Sequence, residues 1–384
     1  MYITDFLVRS NGVKPFKPSS AALPLGVLRD IVLAPRTTLG VGGAADYFAT
    51  ADDPAHLQSL LAWARQQGLP VWVLGEGSNV VVHDGGFRGL VLWQRPPERD
   101  VVLKKSSDSV EVALPGGTPW CQAVEQVTAE GLYGVEALYG IPGTCGAAPV
   151  QNIGAYGQEV SQTLQAIEVV ELATGAHKTL GADACGLAYR QSHLRHLWAG
   201  RYVVTAIHLR LGRVRQRPLT YPALLGALQS RGIDASSASP QAVAETVWQV
   251  RAAKGMVWQG QDAPFGTVGS FFTNPTVSKK HSATLLAKHP HMPRWPAAAG
   301  DKLSAAWLME AAGFQRGWRY PGASNRVGTS PLHALALINA GGASALEICQ
   351  AATVIYEGVL ERMGVALQAE AQRVGFAGAC APFA

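Results

Sequence analysis

Charge is scarce in this sequence. Asp, Glu, Lys and Arg make up 15% of its 384 residues, against about a quarter in an average globular chain. The hydrophobic share of 48% is an ordinary globular figure, so disorder is not the default reading. No run of about 18 apolar residues occurs, so no membrane-spanning helix is expected. The first thirty residues lack an unbroken apolar stretch with a small-residue cleavage site, so no secretory signal is read and a cytoplasmic chain is expected. Cysteine is sparse too. Cys121, Cys145, Cys185, Cys349 and Cys380 are odd in number, widely spaced and free of any Cys-x-x-Cys pair, which argues against a disulfide framework or a cysteine zinc site. His193 with His196, and His289 with His291, have no carboxylate or cysteine cluster beside them, so no metal site is expected.

The excess of positive charge is modest, at +5. Seven arginines fall between Arg190 and Arg217, with only Trp198 and Tyr202 as aromatics among them. That pattern fits a small anionic ligand or a solvated face better than nucleic acid.

Glycine (42) and proline (23) are plentiful, as expected of short elements joined by tight turns, and the length implies two or three domains. Residues Ala45 to Thr50 read as a strand. Asp53 and Pro54 open a helix with Leu57, Leu60, Leu61 and Ala64 on one face, ended at Gly68. Val71–Leu74 and Val80–Val82 read as strands on either side of Gly75-Glu76-Gly77-Ser78-Asn79. Because those glycines join two strands, a Rossmann fingerprint, which needs a strand and then a helix, does not apply. Further on, Val110–Ala113 and Val203–Leu211 read as strands, and Thr118-Pro119 opens a helix closed by Gly131. Ser239-Pro240 opens a helix with Val243, Val247 and Val250 at helical spacing. Leu303–Ala312 reads as helix, and Ser344 with Glu347 forms a capping box for a helix through Met363. The composition shifts near residue 214, where a domain change is placed.

Chemistry concentrates in a few segments. Gly140 to Gly157 is so dense in glycine and proline that few side chains obstruct its backbone, which suits a phosphate-bearing ligand laid along peptide N–H groups. Gly75–Asn79 offers a second small-residue cradle. Arg190 beside Tyr189 suits a carboxylate clamp. Ser270 sits between Gly269 and Phe271-Phe272, a dry and stiff setting, yet lacks the Gly-x-Ser-x-Gly elbow of a hydrolase. Read alone, Glu370 and Lys254 look like solvated charges.

Taken in order, Thr38-Leu39-Gly40, Leu74 to Asn79, Ile141 to Gly157, Tyr189-Arg190, Gly269-Ser270-Phe271-Phe272-Thr273-Asn274-Pro275 and His333-Ala334-Leu335 with Ile338-Asn339 resemble the UDP-N-acetylenolpyruvoylglucosamine reductase family, over nearly the whole chain. Gln151 to Gly157 and Leu219-Thr220-Tyr221 resemble the subgroup that closes a tyrosine-bearing loop over its substrate. The resemblance implies an α+β fold, with a two-part FAD-binding domain of the vanillyl-alcohol-oxidase (PCMH) type and a C-terminal α+β substrate-binding domain. The corresponding limits are 1–30 for a poorly ordered extension, 31–213 for the FAD domain and 214–384 for the substrate domain, whose last segment returns to the active site. It further implies non-covalent FAD, NADPH as hydride donor, and an enolpyruvyl UDP-sugar reduced during peptidoglycan precursor synthesis, by a monomer that binds neither membrane nor nucleic acid.

Carried onto this sequence, the family's cofactor contacts fall on Leu74, Gly75, Glu76, Gly77, Ser78, Asn79, Gly143, Gly146, Ala147, Gln151, Asn152, Gly154, Ala155 and Tyr156. Substrate contacts fall on Tyr189, Arg190, Tyr221, Lys254, Asn274 and His333. The catalytic positions fall on Arg190, Ser270 and Glu370, with Arg190 and Glu370 bracketing the substrate carboxylate and Ser270 as proton donor. Two competing readings remain at this point. One is an oxidase of the same fold with flavin tethered to histidine, although His83 lacks a matching motif. The other is a silent UDP-sugar or nucleotide-binding module, which has no need of Ser270. The extension before residue 30, Ala371 after Glu370, and the segment Gln315–Pro331 with Arg316, Trp318, Arg319 and Arg326 depart from the family pattern.

Overall fold

Short-range chemistry sets most helix ends. Asp53 accepts the Ala55 and His56 amides ahead of Pro54, and α1 runs Pro54–Gln66. Four more helices carry the site or its supports: α2 at Trp120–Ala129, α3 at Pro222–Ser230, α4 at Pro240–Ala252, capped by Ser239, and α5 at Lys279–Lys288, capped by Ser278. The last two are α6 at Ala305–Ala311 and α7 at Ala345–Met363. The computed structural model describes residues 23–51, 53–94, 102–105, 109–257, 263–322, 324–378 and 382–383. The expected poorly ordered extension falls mostly on residues 1–22, outside that set, as does Cys380.

The chain divides into two compact units: residues 1–31, 45–76 and 88–258, and residues 32–44, 77–87 and 259–384. The first unit holds two sheets. One orders its strands Leu28–Val32, Ala44–Ala51, Phe87–Gln94 and Val71–Leu74, the last two parallel with Val71 opposite Leu90. Against it α1 buries Leu57, Leu60, Leu61 and Ala64, in one cluster with Tyr47, Leu90 and Leu92. The other sheet is antiparallel, in the order His177–Gly181, Leu164–Glu171, Tyr202–Gly212, Ser109–Pro115 and Val102–Lys105. Alternation along Ser109–Pro115 buries Val110, Val112 and Leu114 beneath Trp120, Val124 and Val127 of α2.

Residues 214–257, beyond the domain change placed near 214, pack within this first unit. Leu224 and Leu228 of α3 and Val243 and Val247 of α4 close over Ala137. The proline-rich stretch that marks the composition shift leads into these two helices.

Glu171 ties the end of its strand down. It accepts from Thr174 and pairs with Lys178 and Arg201, both at 3.0 Å. Those hydrogen bonds pull its carboxyl from the usual 4.5 to about 2. A depressed carboxylate stabilises the fold above its unfolded pKa, and the contribution fades as pH falls toward the folded value. Glu171→Gln is therefore expected to lower Tm by a constant amount above pH 5. In melting curves against pH, the gap from wild type should close between pH 4.5 and 2; a gap that persists there would refute the assignment.

The second unit contains the parallel pair Val80–Val82 and Gln372–Val374. It also has two three-stranded sheets, one of Gly266–Thr267, Leu337–Asn339 and Val327–Thr329, the other of Thr276–Val277, Gly300–Leu303 and Arg294–Ala297. Its core gathers Phe271, Phe272, Leu303, Leu308, Met309, Ile348 and Ile355. Leu303, expected to start a helix, ends a strand instead. Ser304 caps the chain into α6 by accepting the Trp307 amide. Helix α7 keeps its expected capping box, and Asp84 adds two further bonds to the Ala345 and Leu346 amides.

Candidate active site

In the first unit, two glycine-bearing loops are built backbone against backbone. Leu74 ends its strand buried. A Cβ on the next residue, Gly75, would stand 3.0 Å from Thr144 Oγ1, and one on Gly146 would stand 2.8 Å from the Val204 carbonyl. Gly143 has φ +132°; its carbonyl accepts Trp120 N–H at 2.8 Å and its N–H donates to Glu76 Oε2 at 2.8 Å. Burial raises the Glu76 carboxyl, and the Gly143 bond offsets part of that rise. Glu76 therefore acts as the tie between the two loops. Gly146 N–H donates to Gly116 and Ala147 N–H to Thr144. These amides are spent within the protein, so what the glycines leave for a flavin dinucleotide to lie against is an unobstructed backbone surface.

Asn152 is a hub. It is fully buried with a left-handed backbone, φ +47°. Its Nδ2 donates to Glu159 and to the Ala188 carbonyl, and its Oδ1 accepts Ser161 N–H. The Ala188 bond fixes a tight turn, since Ala188 and Gln191 exchange two backbone bonds of 3.0 Å with Tyr189-Arg190 at the tip. Arg190 has φ +56°, lies 5.2 Å over the Tyr189 ring, and donates to the carbonyls of Asn152 and Gly154. Gln151 meanwhile accepts from Arg195. The structure thus brings Asn152, Gly154, Tyr189 and Arg190 together, with the guanidinium bonded to carbonyls of the glycine-rich loop.

Gly154–Ala155 and Gln158–Glu159 form a two-residue hairpin whose tip, Tyr156-Gly157, has φ of +49° and +88°. Positive φ at both tip residues is the turn that matches strand twist. It sets the Tyr156 ring 5.3 Å from Tyr221, edge to face, and Tyr221 precedes α3. Burial raises the Tyr156 hydroxyl, while the charge of Arg251 lowers it. Lys254, which looks solvated in the sequence, is partly buried. That burial, and then the like charge of Arg251, lower its pKa.

In the second unit, Glu370 is only 9% exposed, contrary to its solvated appearance in the sequence. The reason is a short cross-strand ladder. Glu370 N–H donates to Phe271 at 2.8 Å, Thr273 N–H donates to Gln368, and Phe272 opposes Ala369. Asn79 Nδ2 donates to the Glu370 carbonyl, and Gln372 N–H to the Asn79 carbonyl. Ser270 therefore lies one residue from a backbone bond to Glu370. Phe271 and Phe272 are buried beside it, and Phe271 N–H is held by Leu335, two residues after His333. Asn274 Oδ1 accepts the first amide of α6. Gly77 has φ +64°, and a Cβ there would stand 2.3 Å from the Arg36 carbonyl; Gly77 and Ser78 lead directly to Asn79. Asn339, noted in the sequence only as a motif member, clamps the Leu39 carbonyl. His83 accepts Gly85 N–H at Nδ1 and stacks edge-on against Phe376.

Sequence reasoning missed Arg251. It is 8% exposed and follows Val243 and Val247 at four-residue steps, the buried stripe of α4, whereas Val250 is only half-buried. A charge recurring on that stripe was the available signal.

Among the described residues, no group of three or more His, Cys, Asp or Glu could hold a metal ion, and no helix is long and apolar enough to cross a membrane. Residues 45–181 match the FAD binding domain family. Residues 261–374 match the family described as UDP-N-acetylenolpyruvoylglucosamine reductase, C-terminal domain. The chain is 38% identical to the UDP-N-acetylenolpyruvoylglucosamine reductase of Nocardia farcinica, over 89% of this chain and 88% of that one. It is 37% identical to that of Thermobifida fusca, over 90% and 98%. Its fold is similar to the crystal structure of the reductase from Thermus caldophilus, with TM-score 0.60, 25% identity and coverage of 90% and 98%. It is also similar to 6-hydroxy-D-nicotine oxidase from Arthrobacter nicotinovorans, with TM-score 0.50 and 13% identity over 91% and 88% of the two chains. With its glycine-rich loops fit for FAD, the chain belongs to the UDP-N-acetylenolpyruvoylglucosamine reductase family.

Proposed function

We propose that this chain reduces enolpyruvyl-UDP-GlcNAc to UDP-N-acetylmuramate at the expense of NADPH, in peptidoglycan precursor synthesis. It does so as a cytoplasmic monomer, and so serves cell-wall biogenesis, cell shape and division. FAD, bound without a covalent link along Leu74–Asn79 and Gly143–Tyr156, supplies a hydride relay between NADPH and the methylene carbon of the substrate. The residues assigned to substrate and catalysis are Arg190, Tyr189, Tyr221, Lys254, Ser270, Glu370, Asn274 and His333. We place the domain limits at 31–213 and 214–384 for cofactor and substrate binding, the first unit keeping residues 214–257 in its packing.

Each residue's task follows from the charge that the reaction develops. Hydride arriving at the methylene carbon leaves negative charge on the neighbouring carbon and its carboxylate. Arg190, fixed by Asn152 and Gly154, offers that carboxylate a planar, preorganised cation. Ser270 then gives a proton to the basic carbon, and Glu370 orients the carboxyl end. Lys254 and Tyr221 hold the diphosphate.

The observation that carries this reading is the ladder that buries Glu370 and bonds its N–H to Phe271, the residue after Ser270, an arrangement that a mere binding module does not need. The test follows flavin absorbance in the purified holoenzyme without oxygen. Bleaching by NADPH, followed by recovery on adding enolpyruvyl-UDP-GlcNAc, is the expected result. Bleaching without recovery would remove this substrate. Flavin that stays with acid-precipitated protein would favour an oxidase with tethered cofactor.

A further inference from the structure

Arg251 carries a charge into the interior of the first unit with too little around it to hold one. It ends the buried stripe of α4 and is 8% exposed. Its Nη2 donates to the Met256 carbonyl at 2.8 Å, and its Nε is buried without a hydrogen-bond partner. The stem is pressed against the head of the cofactor loop. A Cβ at Gly140, where φ is +77°, would stand 3.3 Å from Arg251 Cδ and Nε, a tight contact on a backbone that favours glycine.

Among the described residues, no carboxylate pairs with Arg251. The ionisable groups near enough to act on its charge are Tyr156, Cys121 and Arg190. The first two have their neutral forms favoured by burial, and the third is a like charge. Lys254, three residues on, is a second like charge and has no ion pair of its own among the described residues. Holding a buried guanidinium beside two other cations is unfavourable unless an anion completes the set. A guanidinium fork suits a phosphate better than a single ammonium does.

We propose that Arg251 is an anion-binding residue of this site, donating from its guanidinium to a nucleotide diphosphate. The proposal rests on the reading of the site given above. Three molecules of the proposed reaction bring that chemistry: the UDP-sugar, NADPH and FAD itself. The UDP-sugar is favoured, because Lys254, three residues on from Arg251, is assigned above to its diphosphate.

The experiment compares Arg251→Met and Arg251→Lys with wild type in two arms. In the first, UDP alone is titrated into oxidised holoenzyme and followed by flavin difference absorbance. In the second, FAD is titrated into apoprotein and followed by flavin fluorescence. Arg251→Met is expected to weaken UDP binding by about 10- to 100-fold, with FAD affinity within twofold of wild type. Arg251→Lys should recover part of the loss, which a purely structural role would not produce. A loss confined to the FAD arm keeps the anion-binding role and names the cofactor as its source. If wild type binds FAD but not UDP, the substrate reading fails and the FAD arm alone decides on Arg251. Should Arg251→Met not fold, Arg251→Lys against Arg251→Gln decides on the same two readouts. Folded variants whose affinities both stay within twofold of wild type would overturn the proposal.

Discussion

Ser270→Ala is expected to leave flavin reduction by NADPH at the wild-type rate and to slow reoxidation by enolpyruvyl-UDP-GlcNAc by about 10²- to 10⁴-fold, the usual worth of a positioned proton donor. The separation follows from when the hydroxyl is needed. Nothing in the first half-reaction delivers a proton to substrate carbon, whereas the second cannot finish without one. The protein around Ser270 should hardly notice the change. Its backbone is clamped by Phe271 N–H to Leu335, and Gly269 N–H donates to Thr267 Oγ1. The burial belongs to the two phenylalanines rather than to the half-buried serine. Stability is thus expected to move by less than about 1 kcal/mol. Rapid mixing of each half-reaction separately is the decisive measurement. Equal slowing of both would mean that Ser270 shapes the site, and no slowing of either would remove it from the chemistry.

The clamp on Ser270 also shows which parts of the site a sequence displays. Helix caps are legible because both partners lie within four residues, so Asp53, Ser239 and the Ser344–Glu347 box stand where the spacing places them. The glycine-rich loops are legible as composition, since a backbone that must pass close to other backbone excludes Cβ atoms. Glu370 is not legible in that way. Its burial comes from a ladder to Phe271, about a hundred residues away in the chain, and read alone its neighbours suggest a solvated end. Leu303 fails for a related reason. It continues the apolar pattern of α6 but pairs through Arg294 in a sheet, and Ser304 restarts the chain as helix. Asn152 reads as a cofactor contact only through the family resemblance. In the structure its amide carries three bonds to the protein, and its service to the site is to hold the turn that bears Arg190.

That turn frames the second large effect. Arg190→Met is expected to lower kcat/KM for the enolpyruvyl substrate by about 10²- to 10³-fold, the range seen when a preorganised group facing developing negative charge is lost. Arg190→Lys should recover only a small part. An ammonium keeps the charge but cannot span the carbonyls of Asn152 and Gly154 and a carboxylate with one rigid fork. The loss should appear in the second half-reaction, because NADPH brings no carboxylate for the guanidinium to polarise. The same two carbonyl bonds offer a competing explanation, in which Arg190 merely stiffens the cofactor loop. FAD affinity separates the two. A stiffening role predicts weaker FAD binding and slower flavin reduction in Arg190→Met, with Arg190→Lys much closer to wild type. A catalytic role predicts that FAD affinity and the NADPH step stay within about threefold of wild type while substrate reduction collapses. The left-handed backbone at Arg190, φ +56°, is common to all three side chains. Its strain therefore drops out of the comparison, and what remains is the guanidinium itself.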